Sequence, residues 1–201
     1  MRPIVVGVTG ASGAAYARRL VQVLVRSGRE VELVISASGR EVFLRELKLD
    51  PLAARPQGLI ETFGLTADEV AERIRLHGHG DFLAPIASGS HRTAGMVICP
   101  CSGTTLGGIV TGTGGNLIQR AAEVHLKERR KLILVPRETP VSLVHLDNLR
   151  AAHQAGAIVL PASPGWYHGV TSLDDLIDFI VARILDQLEV EHRLMRRWGD
   201  A

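Results

Sequence analysis

The chain has 201 residues, enough for one α/β domain with a sizeable core. Its 23 basic and 21 acidic residues leave a formal net charge of +2, so composition forces no basic face of the kind nucleic acid needs. No apolar stretch approaches the ~20 residues that span a bilayer, and Arg2-Pro3 leads straight into a strand rather than a secretory signal. The expected setting is therefore the cytoplasm, with neither membrane nor nucleic acid as partner.

Ile4-Val5-Val6-Gly7-Val8 is a continuous apolar run and reads as a strand buried on both faces of a parallel sheet. It breaks at Thr9-Gly10-Ala11-Ser12-Gly13, and Ala14, Ala17, Leu20, Val21 and Leu24 then follow helical spacing. A strand feeding a helix through small residues gathers backbone N–H groups at a helix amino end, a natural anion site. The spacing Gly7-x-x-Gly10-x-x-Gly13 is neither the dinucleotide fingerprint nor a Walker A loop. A mononucleotide or flavin phosphate and a plain tight β–α turn both remain open at this point.

Glu30 to Ile35 reads as a second strand, with Ser36 at its carboxyl end, where open parallel sheets bind ligands. A helix over Ser38 to Leu47 carries Glu46 in its last turn. Pro51, Pro56 and Gly58 interrupt the next stretch, and Asp68 to Leu76 reads as a short helix. His77-Gly78-His79-Gly80 has no cysteine or carboxylate partner nearby and reads as a loop rather than a metal site.

Met96 to Cys99 is the third clear strand, and Ser102-Gly103-Thr104-Thr105 repeats the opening pattern of strand, small hydroxyl residues and helix. Cys99 and Cys101 flank Pro100, too close for an unstrained disulfide and without a zinc pattern, so they read as reduced thiols. A helix over Asn116 to Leu126 carries Arg120 near its start. Lys131 to Pro136 is a strand with Arg137-Glu138 at its carboxyl end. A helix over Ser142 to Ala155, a strand over Ala157 to Leu160 and a loop with Trp166-Tyr167-His168 follow. Ser172 caps a last helix to about Leu188, which carries Arg183 and precedes a polar tail with Trp198. This alternation of strands and helices predicts one domain over 1–201, a parallel sheet covered by helices on both faces. Asp-rich diphosphate–magnesium and G-x-S-x-G hydrolase motifs are both missing, so no metal is expected.

Five segments together are specific: GVTGASGAAYARRL, LVISASGREVFLRE, IASGSHRTAGMVICPCSGTTLGGI, NLIQRAAEVHLKERRKLILVPRETP and PGWYHGVTSLDDLIDFIVARILDQL. On these the chain resembles the UbiX family of flavin prenyltransferases over nearly its whole length. The resemblance implies a three-layer αβα Rossmann-like flavoprotein fold with a central parallel sheet. It implies transfer of a dimethylallyl group from dimethylallyl monophosphate to N5 of reduced FMN, with closure of a fourth ring at C6. The product, prenylated FMN, would serve a UbiD-type decarboxylase. Gly10, Ala11, Ser12, Ser36, Ser102, Gly103, Thr104, Thr105 and Arg120 are implied as FMN contacts. Glu46, Lys127, Arg137, Glu138, Tyr167 and Arg183 are implied around the allylic phosphate, and Trp198 as an aromatic closing over the prenyl group.

Monophosphate is a poor leaving group, so the chemistry needs cations and a proton donor at the departing oxygens. Lys127, Arg137 and Arg183 supply charge without magnesium, Ser12 and Glu138 can move protons, and Trp198 or Tyr167 can stabilise an allylic cation. Gly103 stands where the family often has a bulkier residue such as Met, and Gly112-Thr113-Gly114-Gly115-Asn116 lacks an acidic residue common before that Asn. An FMN-dependent cysteine decarboxylase of the same superfamily and a non-catalytic flavin carrier are the alternatives. The run from Pro161 to His168 lacks the decarboxylase's Pro-x-Met-Asn clamp, and a carrier needs no allylic phosphate pocket. Relatives form dodecamers, so a homododecamer is expected.

Overall fold

The computed structural model describes residues 1–195 and 199. Its strands are β1 (Ile4–Val8), β2 (Val31–Ile35), β3 (Ile74–His77), β4 (Gly95–Cys101), β5 (Leu132–Pro136) and β6 (Ile158–Val159). They form one sheet in the order β3-β2-β1-β4-β5-β6, every neighbouring pair parallel. The helices are α1 (Ala14–Arg26), α2 (Ala37–Leu47), α3 (Gln57–Phe63), α4 (Ala67–Arg73), α5 (Gly103–Thr111), α6 (Leu117–Lys127), α7 (Leu143–Gln154) and α8 (Leu173–Leu188).

Strand side chains alternate between the two faces, which divides the core in two. Ile4, Val6, Val8, Leu33, Val97 and Ile133 pack with Leu20 and Leu24 of α1, Phe43 of α2, Phe63 of α3 and Ile184 of α8. Val5, Val34, Met96, Ile98 and Leu134 pack on the other face with Leu106 of α5, Ile118 of α6 and Ala152 of α7. The three-layer arrangement read from the sequence is the one observed.

One expectation fails. The helix read over Asp68 to Leu76 ends at Arg73, and Ile74–His77 instead forms β3, paired Val31↔Ile74 through Val34↔His77. Thr66 and Glu69 start α4 with a reciprocal capping box. The free edge of β2 then captures the next four residues, because their backbone groups gain a ladder and Ile74 and Leu76 gain the core.

The strand order reverses between β1 and β4. The chain leaves β1 towards β2 and leaves β4 towards β5, so a crevice opens between the two turns at their carboxyl ends.

Candidate active site

The two turns at this crevice are bolted together by Thr9. Its hydroxyl donates to the Pro100 carbonyl at 2.8 Å and accepts the Ser102 backbone N–H at 2.8 Å. Ser102 in turn caps α5, accepting the Thr105 N–H at 3.3 Å and donating to the Thr105 hydroxyl at 3.0 Å. Ser36 caps α2 by accepting the Gly39 N–H at 3.0 Å. Gly10 has to be glycine, since a Cβ there would lie 2.5 Å from Ser38 Cβ. Gly10, Ser12, Ser36, Ser102 and Thr105 are thereby gathered at the carboxyl end of the sheet, with Ala11 and Thr104 in the same turns.

At the amino end of α1 the anion is part of the chain. The Glu46 carboxylate accepts the Ala14 N–H at 2.9 Å and the Gly13 N–H at 3.0 Å. The sequence reading left a ligand phosphate and a plain tight β–α turn both open at these donors. The structure supplies a carboxylate from the last turn of α2 instead, which answers the positive helix end equally well.

The end of β5 completes the crevice. Arg137 Nε donates to the Ser12 carbonyl at 3.4 Å. Glu138 Oε2 lies 3.5 Å from His145 Nε2, and His145 Nδ1 lies 2.9 Å from Ser142 Oγ. These groups edge a cleft of about 220 Å³ whose other walls include Cys101, Leu106, Val141, Leu149 and Pro161. Burial pushes the Cys101 thiol up to about 12, so it lines the cleft as a small apolar group rather than a thiolate. His145 is absent from the sequence reading. Its position three residues after a helix-capping serine was the available signal.

Four predicted residues do not join this group within one chain. Lys127 ends α6 and pairs with Glu128 at 2.7 Å beside Gly89, near where β5 begins. A strand of β5's length rises roughly 16 Å, so Lys127 lies towards the amino ends of the strands and Arg137 at their carboxyl ends. Arg183 lies on α8, on the other face from α6, bound to Asp186 at 2.8 Å. Arg120 donates to the Ala87 carbonyl at 3.2 Å and pairs with Glu123. Tyr167 packs edge-on against Phe179, ring centroids 5.8 Å apart. Trp198 lies outside the described residues. The stretch read as a loop over 77–80, with no carboxylate partner nearby, is corrected at its start: His77 closes β3 and pairs with buried Glu32, while the His79 side chain hydrogen-bonds Asn116.

The model of the flavoprotein family matches residues 1–185. A flavin prenyltransferase UbiX of Alkalihalophilus pseudofirmus is 48% identical over 97% of this chain and 95% of its own length. The chain belongs to the UbiX family of flavin prenyltransferases. A UbiX structure solved with FMN and dimethylallyl pyrophosphate superposes on it with a TM-score of 0.86 at 36% identity, covering all of this chain and 98% of that one. A dodecameric FMN-dependent UbiX-like decarboxylase from Escherichia coli O157:H7 gives 0.83 at 38% identity, covering 99% of this chain and all of that one.

Proposed function

We propose that the protein is a flavin prenyltransferase that joins a dimethylallyl group to reduced FMN and hands prenylated FMN to a UbiD-type decarboxylase. The observation that carries this reading is the reach of Arg137 across the crevice to Ser12, with Glu138 beside it. A guanidinium and a carboxylate at the end of one strand thus face the hydroxyl turns of two others. The donor set suits FMN: serine and threonine hydroxyls for a ribityl phosphate, and Leu106, Val141 and Leu149 for a flat ring. Reduced FMN, the co-substrate, supplies the nucleophilic N5 and the adjacent carbon C6 where the fourth ring closes.

The protein's own groups provide the rest. Arg137 places a fixed positive charge against the departing phosphate, the task a magnesium ion has in diphosphate chemistry. Glu138 receives or returns a proton at the reacting centre, and the Ser12 hydroxyl shares that transfer. The apolar wall excludes water, which would otherwise quench an allylic cation.

Lys127, Arg183 and Tyr167 take part only if neighbouring copies bring them in. The outer face of α7 supports such an assembly, because Leu143 and Val144 are 73% and 68% exposed and Leu146 lies beside them. A homododecamer would bury that face and deliver cations from α6 and α8 into a neighbour's crevice. The reading is tested by anaerobic incubation with reduced FMN and dimethylallyl monophosphate. It requires one inorganic phosphate released per flavin consumed, and no phosphate release contradicts it.

A further inference from the structure

His145 sits in the first turn of α7, yet its imidazole turns inward over Gly103. A Cβ added at Gly103 would lie 2.5 Å from His145 Nε2, so the imidazole would have to swing away. The space that a residue at 103 would fill is therefore the space the imidazole occupies. Glycine is not needed here for backbone freedom: Gly103 is the first residue of α5, and its conformation is helical.

The partners of the ring fix its proton. Ser142 Oγ accepts the His145 backbone N–H at 3.3 Å, and its hydroxyl donates to Nδ1 at 2.9 Å when the Glu138 carboxylate, which can only accept, takes the Nε2 side. In a neutral imidazole the other nitrogen then carries the hydrogen, so Nε2–H faces Glu138 Oε2 at 3.5 Å. At 3.5 Å the contact is long for a hydrogen bond, as catalytic hydrogen bonds often are outside the Michaelis complex.

We propose that His145 is a positioning residue for Glu138, oriented by Ser142, and that Gly103 lacks a side chain to admit it. The inference rests on the prenyltransferase reading, because it acts through the carboxylate assigned there to proton transfer. Nε2–H holds one Glu138 oxygen, so the other faces the reacting centre in a single orientation. A carboxylate free to rotate would present the proton acceptor only part of the time.

Two arms test this. The first needs no turnover: nitrogen-15 NMR of the histidine-labelled protein, with the His145 signal assigned by its loss in His145→Gln. The expected signal is the Nε2–H tautomer, and Ser142→Ala should convert it to a mixture. An Nδ1–H tautomer in the unaltered protein would overturn the proposal. The second arm is kinetic. His145→Ala should lower kcat about 10- to 100-fold while KM for the prenyl phosphate holds, and His145→Gln, with an amide N–H near the Nε2 position, should recover most of it. Gly103→Ala should reproduce the loss by displacing the ring, without lowering the melting temperature, because alanine favours a helix. Full kcat in His145→Ala or in Gly103→Ala overturns the proposal. Unaltered protein that prenylates nothing refutes the function proposed above, and the NMR arm then decides the pairing alone.

Discussion

Glu46 and Ala14 are 32 residues apart in the chain, and the carboxylate of one accepts the backbone N–H of the other at 2.9 Å. This contact fastens the last turn of α2 to the first turn of α1 beside the crevice. Glu46→Ala should therefore cost about 1 kcal/mol of stability, the usual worth of a helix cap. Urea denaturation measures it. Unchanged stability would mean that water replaces the carboxylate without loss.

Gly10→Ala should be worse. Its Cβ would press on Ser38 Cβ at 2.5 Å, backbone-anchored on both sides, and α2 would have to move away. A loss of about 1–3 kcal/mol is expected, as for overpacking in a core. FMN affinity should fall with it, since Ser36 at the start of α2 moves too. Flavin fluorescence titration reads the second effect.

Stability should fall with acid through His125. The residue is 1% exposed, Nδ1 donates to the Ala121 carbonyl at 2.7 Å and Nε2 accepts the Thr93 hydroxyl at 2.7 Å. Burial pushes its imidazole down to about 4, against a partial restoring effect of the Ala121 carbonyl and with Arg130 adding to the drop. A folded value below the unfolded 6.5 means the unfolded chain takes the proton first. The stabilisation is thus full above about pH 6.5 and is lost as pH falls towards 4, amounting to about 3 kcal/mol. Denaturation midpoints across that window should slope in the unaltered protein, and the slope should flatten in His125→Gln, which cannot titrate.

Crevices completed by neighbours predict complementation. Arg137→Ala and Lys127→Ala should each abolish prenylation. Co-expressed in one oligomer, they should restore part of it, because an intact Arg137 then meets an intact Lys127 across an interface. Activity no higher than in either variant alone would place Lys127 outside the site.

Much of this was legible in the sequence, for identifiable reasons. Buried parallel strands such as Ile4–Val8 carry no polar residue to obscure them, and capped helices such as α8 announce their start at Ser172. The missed strand β3 is four residues long and reads Ile-Arg-Leu-His, directly continuing a helical pattern; only the exposed edge of β2 makes it a strand. The Glu46 contact with the amino end of α1 depends on α2 folding back over α1, which no local pattern encodes. His145 was hidden because a histidine in a helix has no periodic signature, and its meaning comes from the missing side chain at Gly103, 42 residues away. The separation of Lys127 and Arg183 from Arg137 follows from topology, visible only once the strand order is known.

The most direct measurement is the mass of the flavin. The purified protein is incubated without oxygen with reduced FMN and dimethylallyl monophosphate, and the released flavin is weighed by mass spectrometry. The account predicts a gain of one C5H8 unit, lost in Glu138→Gln while FMN still binds. Flavin recovered at its original mass, with the diphosphate donor failing as well, would contradict it.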